Sequence, residues 1–77
     1  MNYHIEKESP IPYYYQIQLC LKKALIHGEW KPGEFMPSER EISERFNVSR
    51  VTVRQALDNL LQEGIIKKVK AKSCHIA

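Results

Sequence analysis

Apolar side chains recur at helical spacing in three stretches of the 77 residues, and the period then shortens. From about Tyr13 to His27, Tyr14, Ile17, Leu21, Ala24 and Leu25 line one face, Cys20 flanks it, and Gln16, Gln18, Lys22 and Lys23 fall elsewhere. A shorter stretch, Glu39 to Phe46, turns Ile42 and Phe46 inward. The third runs to about Glu63, with Val53, Ala56, Leu57, Leu60 and Leu61 as its stripe. After Gly64 the pattern reads as strand over Ile65–Val69, turn over Lys70–Ser73, and strand over Cys74–Ala77. The expected fold is mainly α with a small β-hairpin.

Punctuation between the stretches sets their ends. Gly28 fits the position just past the first helix, where glycine turns left-handed without steric cost. Pro12 suits a first helical turn, and Ser9-Pro10-Ile11-Pro12 makes a stiff, extended entry. The polar residues 1–9 before it read as a flexible N-terminal segment. Glu29 to Pro37 reads as a connection holding a short strand, with a type II turn at Lys31-Pro32-Gly33-Glu34 and with Trp30, Phe35 and Met36 covering the core. Ser38-Glu39-Arg40-Glu41 has the form of a capping box, in which Ser38 serves the N–H three residues on and Glu41 reaches back. Glu39 and Glu41 also suit the positive end of that helix's dipole. Asn47 tolerates a left-handed stop. Ser49 then caps the third helix, with Val48 and Val53 as a hydrophobic staple. Two helices around so tight a turn form a helix-turn-helix over 38–57. A hairpin directly behind it, over 65–77, would be the wing of a winged helix, although no Gly or Asn marks its turn.

Composition narrows the picture. A chain of this length is one small domain, and 43% apolar residues suit a globular one. No apolar run is long enough to span a membrane, and Met1 to Lys7 is too polar for a signal peptide, so a cytoplasmic chain is expected. The formal charge of +3 is unevenly spread: residues 64–77 hold four Lys and no acid, whereas 33–63 hold four Arg against six acids. A basic end suggests a polyanionic partner, though a charge run is more often just solvated surface.

Few residues suggest bond chemistry. Cys20 and Cys74 are far apart, and His4, His27 and His75 are scattered without ligand spacing, so no metal or cofactor is expected. Glu39, Glu41 and Glu44 form a carboxylate cluster on paper, yet Glu39 and Glu41 do not share a helix face, and no nucleophile–base pair or phosphate-cradling glycine loop accompanies them. Tyr13-Tyr14-Tyr15 resembles a base-stacking platform, but helical spacing puts Tyr14 in the core and its neighbours half out. Arg50, Thr52, Arg54 and Gln55 fall largely off the stripe of the third helix. That helix offers an apolar side to a core and an arginine-bearing side to a partner.

These pieces together resemble the N-terminal DNA-binding domain of the GntR family of bacterial transcriptional regulators. The matching stretches are P-I-P-Y-Y-Y-Q-I, G-E-W-K-P-G-E-F-M-P-S-E-R, F-N-V-S-R-V-T-V-R-Q-A-L-D-N-L and E-G-I-I-K-K, in order, within Pro10 to Ala77. The opening looks most like the branch whose second domain is a chorismate-lyase-like ligand-binding fold. The resemblance implies that Arg40 reaches DNA from the second helix and that Arg50 and Arg54 read guanine edges or grip phosphate. It implies phosphate or base contacts for Ser49 and Thr52. The planar fork of arginine fits guanine O6 and N7, and short hydroxyls at a helix N-terminus suit phosphate. The wing departs from the family, which usually carries G-x-G at its tip. Here Lys70 precedes Ala71-Lys72-Ser73, so deep backbone insertion is not expected, while Lys70 and Lys72 can still pair with phosphate. Cys74-His75-Ile76 also differs from the family's Thr-Phe-Val type of ending.

The expectation is a sequence-specific DNA-binding domain of a bacterial transcription regulator, a repressor that binds a pseudo-palindromic operator in double-stranded DNA as a homodimer. A small-molecule effector would act only through a C-terminal domain absent from this chain. The competing expectation is a winged-helix module for protein–protein contact; the Arg50/Arg54 pair beside hydroxyls argues against it, since such a face would be more apolar.

Overall fold

In the computed structural model, which describes residues 3–70 and 73–77 (backbone only for 69, 70 and 73), the stripe of the third helix is the centre of the molecule. The order is α1 (Tyr13–Ile26), α2 (Glu39–Phe46), α3 (Arg50–Gln62), β1 (Ile66–Lys70) and β2 (Ser73–Ile76). Helix α3 packs against α1, α2 and β1. Its Val53, Ala56, Leu57 and Leu60 meet Ile17 and Leu21 of α1, Ile42 and Phe46 of α2, and Ile66 and Ile76 of the hairpin in one core cluster. Each large aliphatic side chain withdrawn there contributes roughly 1.5–3 kcal/mol.

The α2–α3 corner follows from local chemistry. Ser38 Oγ accepts from the Glu41 N–H at 3.1 Å, as the capping motif requires. Glu41 does not reach back; its carboxylate pairs with Arg45 one turn on, at 3.3 Å. Asn47 ends α2 at φ 57°, ψ 51°, with its N–H donating to Ser43. Ser49 Oγ then accepts from the Thr52 N–H at 3.2 Å and opens α3. Val48 packs against the cluster that buries Val53. Gly64, at φ 77°, turns the chain out of α3.

Helix α1 matches the expected face with one change. Gln18, placed off that face from its polarity, is buried, because its Oε1 accepts from Asn59 Nδ2 of α3 at 2.8 Å. The amide oxygen of Gln18 is thus satisfied by an amide of α3, which offsets part of the cost of burying it. Tyr14 is half-buried against the core, between the more exposed Tyr13 and Tyr15.

In the N-terminal segment, for which the sequence expectation is flexibility, Tyr3 and Ile5 of the described residues 3–9 pack against the core cluster. Ile5 is buried, and the Tyr3 ring meets Phe46 edge-on at 5.2 Å. Gln16 pins the backbone from both sides: its Oε1 accepts from the Glu6 N–H at 2.8 Å, and its Nε2 donates to the Glu6 carbonyl at 3.0 Å. Lys7 Nζ donates to the Asn47 carbonyl at 2.7 Å.

β1 and β2 pair antiparallel, Ile66 opposite Ile76, with an irregularity between Lys68 and Lys70. The short strand expected within Glu29–Pro37 reduces to a bridge between Phe35 and His75. Gly33 and Met36 donate to the carbonyls of Ile76 and Cys74, and Ile76 donates back to Glu34. Met36 is buried and Trp30 half-buried as expected, but Phe35 is 60% exposed and tilts toward His75 instead of covering the core.

Candidate nucleic-acid interface

Because α3 turns Val53, Ala56, Leu57 and Leu60 inward, Arg50 and Arg54, one turn apart, stand on its opposite side with more than half of each side chain exposed. Neither is free. Glu39, the first residue of α2, lies across from them. Arg54 donates Nε to Glu39 Oε2 and Nη2 to Oε1, both at 3.2 Å, in a side-on fork. Arg50 Nη2 lies 3.7 Å from the same Oε1, an ion pair without hydrogen-bond distance. The Arg54 hydrogen bonds, chiefly, hold the Glu39 carboxyl below the usual carboxylate range, and the charges of Arg54, Arg50 and Lys68 add to this. The same contact raises the pKa of Arg54.

Arg40 shares a shallow depression with Ser38, Glu39 and Arg50. Its Nε donates to Glu44 on its own helix at 3.1 Å, and the side chain is highly exposed. Ser49 and Thr52 are brought together: their hydroxyls lie 2.9 Å apart, and Ser49 is engaged as the cap. The hydroxyl pair is therefore already bonded, with lone pairs to spare beside the exposed helix N-terminus. Lys70 lies at the end of β1, beyond the residues whose side chains are described, and Lys72 falls outside the described residues.

Three residues of this edge escape a reading of the sequence. Val51 is 69% exposed, an aliphatic group between Arg50 and Thr52; its only sequence signal is a β-branched residue off the α3 stripe. Lys7 reaches the turn that precedes α3, a contact separated by 40 residues, which no local pattern announces. Glu39 has a local explanation as a helix-dipole residue, and its pairing across to α3 is a tertiary feature. Cys20 lies away from this edge, whereas Cys74 lines a small cavity with Glu39 and Lys68; burial pushes both thiols above their ordinary pKa, so they are protonated at neutral pH. Among the described residues no group of His, Cys, Asp and Glu could hold a metal ion, and no helix is long and apolar enough to cross a membrane.

A capped helix that carries its arginines outward and is backed by a hairpin is the winged-helix arrangement, and comparison with known proteins agrees. Residues 13–76 match the family described as bacterial regulatory proteins, gntR family. The HTH-type transcriptional repressor NagR of Bacillus subtilis is 47% identical over 74 residues, which is 96% of this chain and 30% of NagR. The arabinose metabolism transcriptional repressor of Geobacillus stearothermophilus is 38% identical over 71 residues, 92% of this chain and 20% of that protein. The chain thus spans less than a third of either relative's length. Among solved structures, YtrA from Sulfolobus acidocaldarius, a GntR-family transcription factor, superposes with a TM-score of 0.90 at 32% identity, covering 100% of this chain and 82% of that one. The AraR DNA-binding domain in complex with operator ORX1 gives a TM-score of 0.88 at 25% identity, covering 96% and 94%. By sequence and by fold, this chain belongs to the GntR family of bacterial regulatory proteins.

Proposed function

We propose that the chain is the DNA-binding part of a transcription repressor and works by binding alone, without bond chemistry, in the cytoplasm. The observation that carries this is the outward edge of the helix-turn-helix, where Arg40, Arg50 and Arg54 stand exposed beside the capped N-terminus of α3. With α3 in the major groove, Arg50 and Arg54 read base edges, while Arg40, Ser49 and Thr52 grip the backbone. Lys70 and Lys72 add wing contacts to phosphate. Two copies bind a pseudo-palindromic operator, and a small-molecule effector acts through a further domain. The solved complex of the AraR domain with its operator supports this reading, as do the repressor names of the two relatives.

The test is binding to a duplex selected by the chain from a random-sequence library, set against a scrambled duplex and followed over a range of salt. Arg50→Ala should cost roughly 1–3 kcal/mol on the selected duplex and relax its preference. Neutralising Lys70 and Lys72 should weaken both duplexes alike and flatten the salt dependence, by about 0.9 in log–log slope for each phosphate no longer neutralised. If the chain ignores duplex DNA even at low ionic strength, the reading fails.

A further inference from the structure

The arginines of the outer edge are paired in two different ways. Arg40 and Arg45 on α2 each find a glutamate one turn away on the same helix, Glu44 and Glu41. Such i,i+4 pairs are local and screened by solvent. Arg50 and Arg54 on α3 instead converge on one carboxylate from another helix. That carboxylate is also the more enclosed partner: the Glu39 side chain is 27% exposed against 53% and 55% for the two arginines. Its place is fixed by Ser38, which caps α2 one residue before it, and by the packing of α2 on α3.

We propose that Glu39 is a positioning residue for base readout: it holds Arg54 in a fork and Arg50 by an ion pair, presenting their free edges to the groove and withholding them from phosphate. This rests on the DNA-binding reading above. The geometry of the fork is what matters. A guanidinium has five N–H donors in one plane. The Glu39 fork occupies Nε–H and one hydrogen of Nη2 on Arg54. The end-on edge, formed by one hydrogen of Nη1 and the second hydrogen of Nη2, is left unoccupied by Glu39. That is the edge able to meet O6 and N7 of guanine with two parallel bonds. Arg54 therefore need not leave Glu39 to read a base, and the carboxylate has already restricted its rotamers. Arg50, beyond hydrogen-bond distance from Glu39 Oε1, is steered but can still adjust.

The same carboxylate disfavours indiscriminate contact. Non-specific affinity comes from cations neutralising phosphates. A glutamate between two arginines offsets part of their charge and repels the phosphate backbone, a cost borne on any sequence. Only the correct base edge recovers it through the aligned fork. Glu39 should therefore raise the ratio of specific to non-specific binding while lowering non-specific binding itself.

The experiment uses this chain, a duplex that the wild type selects from a random library, and a scrambled duplex of equal length. Failure of the wild type to select or bind any duplex sinks the DNA reading, and this proposal with it, before a variant is made. With selection in hand, Glu39→Gln and Glu39→Asp are compared, each checked for a cooperative thermal transition close to that of the wild type and for the Arg54 Nε–H resonance in free protein. Glu39→Gln should bind the scrambled duplex more tightly, with a salt slope steeper by up to about 0.9 for each further phosphate neutralised. Its preference for the selected duplex should fall roughly tenfold, the low end of what one bidentate base contact discriminates. Glu39→Asp keeps the charge but is one methylene too short for the fork. It should lose a similar share of the preference with little change in salt slope, and both variants should shift the Arg54 resonance. An undiminished preference in either variant overturns the proposal. In the aspartate variant, that outcome would leave only a general charge effect.

Discussion

The helix-turn-helix and the hairpin behind it are held in place by different kinds of interaction. Between residues 38 and 64, each junction is decided by a residue acting on its own neighbours. Ser38 and Ser49 each cap the N–H three residues on, and Asn47 and Gly64 supply positive φ where a helix must stop. The hairpin's placement depends on partners far away in sequence: Gly33 bonds to Ile76 and Met36 to Cys74, and Ala77 donates to the Ile65 carbonyl. The first mode sets the angle between α2 and α3 in a single corner. The second sets where the wing stands relative to that corner, through backbone bonds that many sequences would satisfy. Residue identity is therefore more constrained in the corner than in the wing, which is where this chain departs from the glycine-tipped pattern of its family.

Both regions nevertheless end on one core, and the largest predicted effects test that they are a single folding unit. Ile42 of α2 and Ile66 of β1 are 0% and 1% exposed. Truncating either to alanine should cost about 2–5 kcal/mol. For a small domain, whose total stability is on the order of 5–15 kcal/mol, this removes a large share. Urea titrations followed by helical circular dichroism and by Trp30 fluorescence should shift together in both variants. If Ile66→Ala moved the fluorescence transition and left the helical one in place, the wing would be a separate unit.

The same division explains what is legible in the sequence. The ends of all three helices are legible to within about a residue, because Pro12, Gly28, Ser38, Asn47, Ser49 and Gly64 announce themselves by chemistry that acts over three or four residues. The outward stance of Arg40, Arg50 and Arg54 is legible for the same reason: it follows from which side of each helix is apolar. Contacts between distant segments are not. Tyr3 and Ile5 dock the N-terminal arm, yet two apolar residues spaced by two among polar ones form too short a pattern to indicate a strand. Gln18 is buried only because Asn59, 41 residues on, supplies its partner. Phe35 looks like core by composition, and the bridge to His75 leaves it exposed. Glu39 belongs to the same group, since a carboxylate at a helix start has a sufficient local explanation and its second role depends on where α3 packs.

A middle-sized effect isolates the corner. Ser49→Ala removes the acceptor for the Thr52 N–H and the partner of the Thr52 hydroxyl. It should cost about 0.5–2 kcal/mol. Near the melting temperature, each 1 kcal/mol lowers Tm by roughly 4–8 °C in a domain of this size. Ser49→Asp, which restores a capping oxygen, should recover stability and, if α3 enters DNA, should still weaken duplex binding by placing a negative charge at the helix front. Recovery of Tm together with full recovery of DNA binding would place the N-terminus of α3 away from phosphate. No single hairpin side chain among the described residues has an equivalent local role, so the wing offers no variant that separates stability from binding in this way.

The smallest predicted effect concerns Glu39, a carboxylate that acts on both regions. Glu39 interacts with Arg54 and Arg50 of the corner and with Lys68 of β1, while Arg40 lies beside it and Asp58 acts on Arg54 from further along α3. Its pKa is depressed in the folded chain, first by the Arg54 hydrogen bonds. A carboxylate with a depressed folded pKa contributes stability that is present above its unfolded pKa and disappears as pH falls through the folded one. The wild-type advantage over Glu39→Gln should therefore be constant at neutral pH and shrink once the pH drops below the ordinary glutamate range, about 4.3. Urea unfolding of both proteins at a series of pH values measures this. The change should be small, because the paired arginines are largely exposed and solvent screens them. An advantage that instead grew on acidification would mean that Glu39 is held by something other than these cations, and the link between corner and wing through Lys68 would fail with it.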